Sequence, residues 1–367
     1  GHLSDDRSLS LPVELKDFLL AVNHSLKNAA GCYQYWDQSY QAKEDYRHKT
    51  RFGISGEEVN IKGKEVGEFI LRVVGKCDQA VKKTLGQYKT YCTYFINEAV
   101  EFEQIDGDKA KVLKFKQTPL PLFLEGFVHA LKVEKDKQIY GLVKNSPLFD
   151  RKLKMYKVNS ALKDAPAEIG RARIFTPGWL ENESVWLHME YKYMLELLKA
   201  GMYKEFFADF KSVLVPFMDP KKYKRSILEN SSFIVSSANQ NKANHGRGFV
   251  ARLSGGAAEF LDMWILMMTG KKIFSLDGQG RLLFKLSPIL PAWLFKNGKL
   301  GFKLLGTIDV TYLNPKKKDT FNGGVKPVSY KLIMDDKEVE IKASSLKEPH
   351  ATLIRERKIK QMVVTLD

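Results

Sequence analysis

Cysteine is scarce in this chain of 367 residues, with Cys32, Cys77 and Cys92 widely scattered. So few, at such spacing, exclude a disulfide framework and a cysteine-based zinc knuckle. They fit small buried hydrophobes in a reducing compartment, so a cytoplasmic location is expected. No run of about 18 apolar residues occurs, which argues against a membrane-spanning helix. The first residues lack a positive-then-apolar leader pattern, and Gly1-His2 reads as a tag remnant. Also missing are a Gly-x-Ser-x-Gly nucleophile elbow, a P-loop and a His-Glu-x-x-His zinc helix. Gly246-Arg247-Gly248 resembles a fragment of a dinucleotide loop, but no βαβ pattern surrounds it. Neither a metal nor an organic cofactor is expected, and no repeat or low-complexity segment is found.

Charge of one sign is in excess. Lysine and arginine number 59 against 43 acidic residues, a formal charge of +16. Such a balance points to an anionic partner, whether nucleic acid, a membrane surface or a phosphate-bearing substrate. The excess is spread along the whole chain. Its densest clusters, Lys221-Lys222-Tyr223-Lys224-Arg225 and Lys316-Lys317-Lys318, are not interleaved with aromatics in a recognition pattern. A solvated surface is favoured over a nucleic-acid footprint, and a basic nucleic-acid-binding protein is the weakest of the functional readings.

The periodicity predicts a mainly α protein with a β-rich C-terminal domain. Leu15, Phe18, Leu19, Val22 and Leu26 recur at helical spacing. The aromatic and charged stretch from Gly31 to Gly56 shows little periodicity and reads as a long loop, a kind of segment that is often functional. A second helix starts near Lys64. Residues 99–116 then alternate around an Asp106-Gly107 turn, a hairpin inserted among helices. Further helices are expected over Leu120–Val133, Glu190–Ala200 and Met202–Leu214, with a strong one after Ser254 closed by Gly270. From Ile273 onward come short β-rich runs separated by Gly, Pro and Asn-Gly turns. The expected domains are 1–275, helical, and 276–367, sandwich-like. Seven or so helices make neither a compact bundle nor a complete barrel, and a missing N-terminal portion would explain that size.

Two segments have the character of sites. Arg173 to His188 packs Pro, Gly, two Trp, carboxylates and a His just ahead of a helix, where backbone N–H groups are free and the helix dipole favours an anion. Its other reading is structural, with carboxylates capping the helix and Trp and His filling the core. His245 to Gly256 opens the apolar helix 257–269 with Ser254-Gly255-Gly256, which lets backbone amides close on a phosphate or sulfate. Arg247 and Arg252 stand nearby to add charge. Its bland reading is an ordinary N-cap.

Pro177-Gly178-x-x-Glu181-Asn182 followed by His188, with Leu253-Ser254-Gly255, resembles motifs of the inverting cellobiose, cellodextrin and chitobiose phosphorylases, glycoside hydrolase family ninety-four and its relatives. The likeness extends to long cellobiose-phosphorylase-like proteins through Pro119–Gly126, Leu153–Asn159 and Glu229–Phe233, and runs from about Tyr40 to the C-terminus. It implies part of an (α/α)6 barrel followed by a β-sandwich-like domain. It also implies a glycosyltransferase-type activity in which inorganic phosphate is co-substrate and a β-linked oligosaccharide or glucan is cleaved to a sugar 1-phosphate. Phosphate falls to His188, Ser254 and Gly255, with Arg247 and Arg252 as helpers; the sugar falls to Glu181, Asn182 and Trp179.

The chain departs from that pattern in one serious respect. The family's general acid, an aspartate in a Trp-Asn-Asp type motif, is absent, and Trp36-Asp37 lacks the context. Leu180 also stands where many members carry a basic residue. The expectation is therefore a C-terminal portion or subunit with no catalytic residue of its own, completed by an N-terminal half or a complementing subunit and compatible with a homodimer. The alternative is a non-catalytic carbohydrate- or phosphate-binding protein of the same descent.

Overall fold

A computed structural model describes residues 7–107, 109–251, 255–335 and 337–367. The chain divides into two compact units, Gly1–Leu120 and Pro121–Asp367. Among the described residues no helix is long and apolar enough to cross a membrane.

The first unit runs β1 (Ser8–Pro12), α1 (Val13–Asn28), α2 (Cys32–Lys49), β2 (Glu58–Lys62), α3 (Gly63–Tyr88), β3 (Phe95–Asp106) and β4 (Lys109–Pro119). β1 pairs antiparallel with β2, and β3 with β4 in a hairpin longer than the alternation had suggested. The loop expected over Gly31–Gly56 is instead mostly the helix α2. Its periodicity is faint because polar and charged residues interrupt the aromatic ones along its length. It is held by side-chain pairs one turn apart, such as Trp36 on Tyr40 at 5.7 Å and Gln41 to Asp45 at 2.7 Å, and by Tyr46 against Phe18 of α1 at 5.1 Å. Ala42, Ile61 and Tyr91 are the buried apolar residues described in this unit, so the core is lean. Cys77 is exposed on α3 and Cys92 half-buried, against the expectation of buried thiols.

The second unit begins with α4 (Leu124–Val133), α5 (Lys137–Asn145), β5 (Phe149–Asp150) and β6 (Met155–Tyr156). Next come β7 (Val185–Trp186), α6 (Leu187–Lys199), α7 (Tyr203–Val213), α8 (Pro220–Tyr223), β8 (Ser231–Ile234), β9 (Gly248–Ala251) and α9 (Gly255–Thr269). α6 is the centre of its core: Leu187, Tyr191, Met194, Leu195, Leu197 and Leu198 are buried where it packs against α4, α7 and α9.

The remainder holds β10 (Phe274–Leu276), β11 (Leu282–Phe284), β12 (Lys299–Leu304), β13 (Ile308–Leu313), β14 (Pro327–Ile333), β15 (Glu338–Ile341), α10 (His350–Arg355) and β16 (Gln361–Leu366). Five strands form a mixed sheet in the order β12-β13-β16-β14-β15, with β13 and β16 parallel. Alternation sets its inner face: Ile308, Val310 and Tyr312 of β13 and Met362, Val364 and Leu366 of β16 are buried, with the residues between them more exposed. The mixture of helices and sheet is as expected.

The domain boundary is not where the change of texture placed it. The sheet belongs with α4–α9 because the chain turns back at once. Gly270 has φ +82°, and a Cβ there would stand 2.6 Å from the Ser287 carbonyl oxygen. Ser287 N–H then donates to Thr269 O at 2.9 Å, Ile289 N–H to Met267 O at 2.7 Å and Tyr312 Oη–H to Met268 O at 2.7 Å. Hydrogen bonds of this kind tie the end of α9 to the sheet, so one core serves both.

Candidate functional site

The loop before α6 is built from buried polar groups. Asn182, buried, donates from Nδ2 to Phe175 O at 2.7 Å, and its own carbonyl accepts from Gly178 N–H at 2.8 Å. Asn159, fully buried, clamps the next turn: its Nδ2 donates to Glu181 O at 2.5 Å and its Oδ1 accepts from Glu183 N–H at 2.7 Å. Lys157 pairs with Glu183 at 2.7 Å with both side chains nearly buried. Leu180 and Glu183 take left-handed φ values of 47° and 58°, a strained conformation that these bonds over-determine. Among the described residues, Glu181 Oε2 and Asn182 Oδ1 are buried acceptors without a hydrogen-bond partner. Glu181 Oε1 lies 3.8 Å from Arg171.

Both sequence segments converge on one small sheet. β7, at the end of the first segment, pairs with β8, and β8 with β9 of the second. Asn239 joins them again: its Nδ2 donates to Pro177 O at 3.1 Å, and its carbonyl lies 2.7 Å from His245 Nε2. A row of rings crosses the sheet. Trp179 meets Phe249 at 4.6 Å and Phe233 at 5.1 Å, and Phe233 stacks on Trp186, the N-cap of α6, at 5.9 Å. The Arg247 guanidinium sits 5.0 Å over the Phe249 ring, exposed, so Arg247 and Trp179 share one aromatic neighbour.

α6 and α9 lie side by side with their N-termini on the same side. His188, second residue of α6, has Nε2 3.8 Å from Glu259 Oε1 near the start of α9. At the other end Lys199 Nζ is 3.7 Å from Asp262, and Lys271 Nζ reaches Lys199 O at 2.5 Å. The His188 pKa is lowered, chiefly by burial and then by Lys192, against an opposing pull from Glu259. The imidazole is therefore neutral at pH 7 and offers one N–H donor. Arg252, Leu253 and Ser254 lie outside the described residues, and Gly255 is described only as the first backbone position of α9. Among the described residues no cluster of His, Cys, Asp and Glu could hold a metal.

Sequence reasoning missed Asn159, Glu259 and the acids beneath the site. Asn159 lay within the Leu153–Asn159 block of the resemblance, but nothing in its neighbourhood marked it as a clamp. Glu190, on the first turn of α6, is fully buried; its Oε1 accepts from Tyr156 N–H at 2.8 Å and its Oε2 has no partner. Burial first, then Asp209 and Asp150, hold its pKa well above the usual carboxylate range, against the Tyr156 hydrogen bond. Because the folded state keeps this proton longer than the unfolded chain does, the stability it contributes is complete below about pH 4.3 and is lost as pH rises through the folded-state value. Glu190→Gln keeps the acceptor without the ionisation. Its melting temperature should exceed that of the parent at pH 8 and match it near pH 4; a gap unchanged between the two pH values would contradict a protonated Glu190.

No protein-family model matches the chain, and no curated protein matches it.

Proposed function

We propose that this chain is the phosphate- and sugar-binding portion of an inverting glycoside phosphorylase, acting on a β-linked glucoside or glucan with a general acid supplied from elsewhere. In such a reaction phosphate attacks the anomeric carbon on the face opposite the leaving oxygen, which a carboxylic acid protonates. Phosphate is already a competent nucleophile. The protein must bind and orient a dianion, a task suited to helix N-termini, a histidine and backbone amides. The observation that carries the reading is the side-by-side start of α6 and α9, with His188 3.8 Å from Glu259. Partial positive charge from two helix ends favours an anion there, with Ser254, Gly255, Arg247 and Arg252 as the further ligands proposed. The unpartnered oxygens of Glu181 and Asn182 and the Trp179 ring suit sugar hydroxyls and a sugar face. The same reading carries the finer fold, part of an (α/α)6 barrel followed by a β-sandwich-like domain, and a cytoplasmic setting.

The test uses sulfate, which stays dianionic while histidine titrates. Titration calorimetry should give an affinity that rises as pH falls from 8 to 5.5, since the lowered His188 pKa leaves the ring neutral at the upper end. His188→Ala should weaken sulfate binding about tenfold or more, the loss of one charge-assisted bond, and flatten that pH dependence. Sulfate affinity equal in parent and variant would remove the shared anion site. The missing Trp-Asn-Asp step favours a second reading, a non-catalytic carbohydrate- and phosphate-binding protein. Phosphate release from glucose 1-phosphate and an acceptor, once a chain carrying that motif is added, separates the two.

A further inference from the structure

The aromatic stretch of the first unit supplies none of the residues proposed for phosphate or sugar. Two adjoining hollows of 470 and 590 Å3 share Lys83, Phe115 and Gln117 as lining. They form one groove between α2, α3 and the β3–β4 hairpin. Trp36 stands on its α2 side, 46% exposed. Its ring does not swing freely: Phe115 meets it edge-on at 5.2 Å and Tyr40 stacks on it at 5.7 Å. A large aromatic side chain held in place by its neighbours and nearly half exposed is a contact surface that loses little entropy on binding.

The polar lining decides what would stack there. Asn97 and Gln117 are register partners on one face of the hairpin, joined by Gln117 Nε2–H donating to Asn97 Oδ1 at 2.9 Å. One bond of that kind leaves the Asn97 amide donors and the Gln117 carbonyl to serve another molecule. Of the groove's cations, Lys83 borders both hollows, while Lys76 and Lys114 are committed elsewhere. Lys76 lies 3.7 Å over the Tyr35 ring, and Lys114 donates to Glu101 at 2.7 Å. A polyanion such as single-stranded nucleic acid needs free cations tracking its backbone beside the rings. A neutral polyol needs flat apolar faces beside amide donors and acceptors, which this groove supplies.

We propose that the groove lined by Trp36, Phe115, Asn97 and Gln117 binds a neutral glucan chain, its pyranose C–H faces on Trp36 and its hydroxyls on the two amides. β-Linked glucose suits it, because equatorial hydroxyls leave both ring faces apolar. The groove uses none of the residues proposed for the anion site, and the proposal stands whether or not that site binds phosphate.

Affinity electrophoresis and calorimetry on the full chain test it, with soluble β-1,2-, β-1,3- and β-1,4-linked glucans and a twelve-nucleotide oligothymidylate as probes. At least one glucan should bind. Trp36→Ala should weaken that binding about tenfold or more, and Trp36→Phe, which keeps a ring, about threefold or less. Gln117→Ala should weaken it about fivefold, and His188→Ala should leave it unchanged. An unaltered thermal midpoint in Trp36→Ala separates loss of the platform from loss of the fold, and Gln117→Ala carries the test if that midpoint falls. No binding by any of the glucans, or glucan binding indifferent to both Trp36→Ala and Gln117→Ala, overturns the proposal. So does a Trp36-dependent, salt-sensitive affinity for oligothymidylate that exceeds the affinity for every glucan.

Discussion

Asp209→Ala is expected to lower the free energy of unfolding by about 3–5 kcal/mol, the range for removing one partner of a buried, hydrogen-bonded charge pair. The Asp209 carboxylate is buried and gathers three donors: Lys144, Tyr140 at 3.0 Å and Tyr156 at 2.5 Å. Burial is the first cause that drives both phenols far above their ordinary range, and the Asp209 charge adds to it, so both remain donors at any working pH. Without the carboxylate, the Tyr156 hydroxyl is stranded in the core, and a buried donor left unpaired carries its full desolvation cost. Lys144 is half-buried over the Phe149 ring at 3.7 Å and suffers less. Asp209→Asn keeps one acceptor and should cost clearly less than the alanine change. Denaturant unfolding of the two variants checks this ordering. An alanine variant within about 1 kcal/mol of the parent would mean that the network contributes specificity rather than stability.

Gly178→Ala is the second large effect, expected at about 2–4 kcal/mol from a left-handed backbone together with a clash. Gly178 has φ +78°, and an added Cβ would meet Asn239 N at 2.7 Å and Ser236 Oγ at 3.0 Å. Neither neighbour can retreat easily. Asn239 holds Pro177 O, and Ser236 N–H donates to Gly178 O at 3.3 Å. Gly201, with φ +83° and open space around its would-be Cβ, supplies the comparison. Gly201→Ala should cost only the backbone term, about 1 kcal/mol. The difference between the two variants isolates the close approach that sets the loop carrying Glu181 and Asn182. Equal losses would mean that the loop yields without strain.

Much of the chain was legible from pattern alone. The 3.6-residue periodicity marked α1, α3, α6, α7 and α9, because their apolar residues recur at helical spacing, on a buried face in α6 and α7 and on a partly exposed one in α1 and α3. Asp106-Gly107 marked the β3–β4 hairpin, since that dipeptide accepts a tight reversal. Short β-rich runs set apart by Gly, Pro and Asn-Gly turns marked most of the strands beyond Ile273. What eluded pattern reading has a common cause. In α2 polar and charged residues interrupt the aromatic ones, so no apolar stripe can be read. β1 and β2 pair across an intervening pair of helices, a partnership invisible in either strand alone.

The two candidate segments could likewise be read locally, Gly178 and Asn182 as turn residues and the small residues before α9 as a helix opening. Their meeting could not. It depends on β8, which has no chemistry of its own yet pairs with a strand from each segment, and on Asn239, which bonds to both. The unit boundary at Leu120 rather than near residue 275 was also beyond pattern, because composition changes where strands begin while cores end where contacts end. Periodicity, turn chemistry and helix openings are properties of neighbouring residues, and the sequence by itself determined those. Which ends of α6 and α9 face each other, which acid lies against His188 and which amides remain open beside Trp36 follow from long-range packing, so the tertiary structure alone decided them.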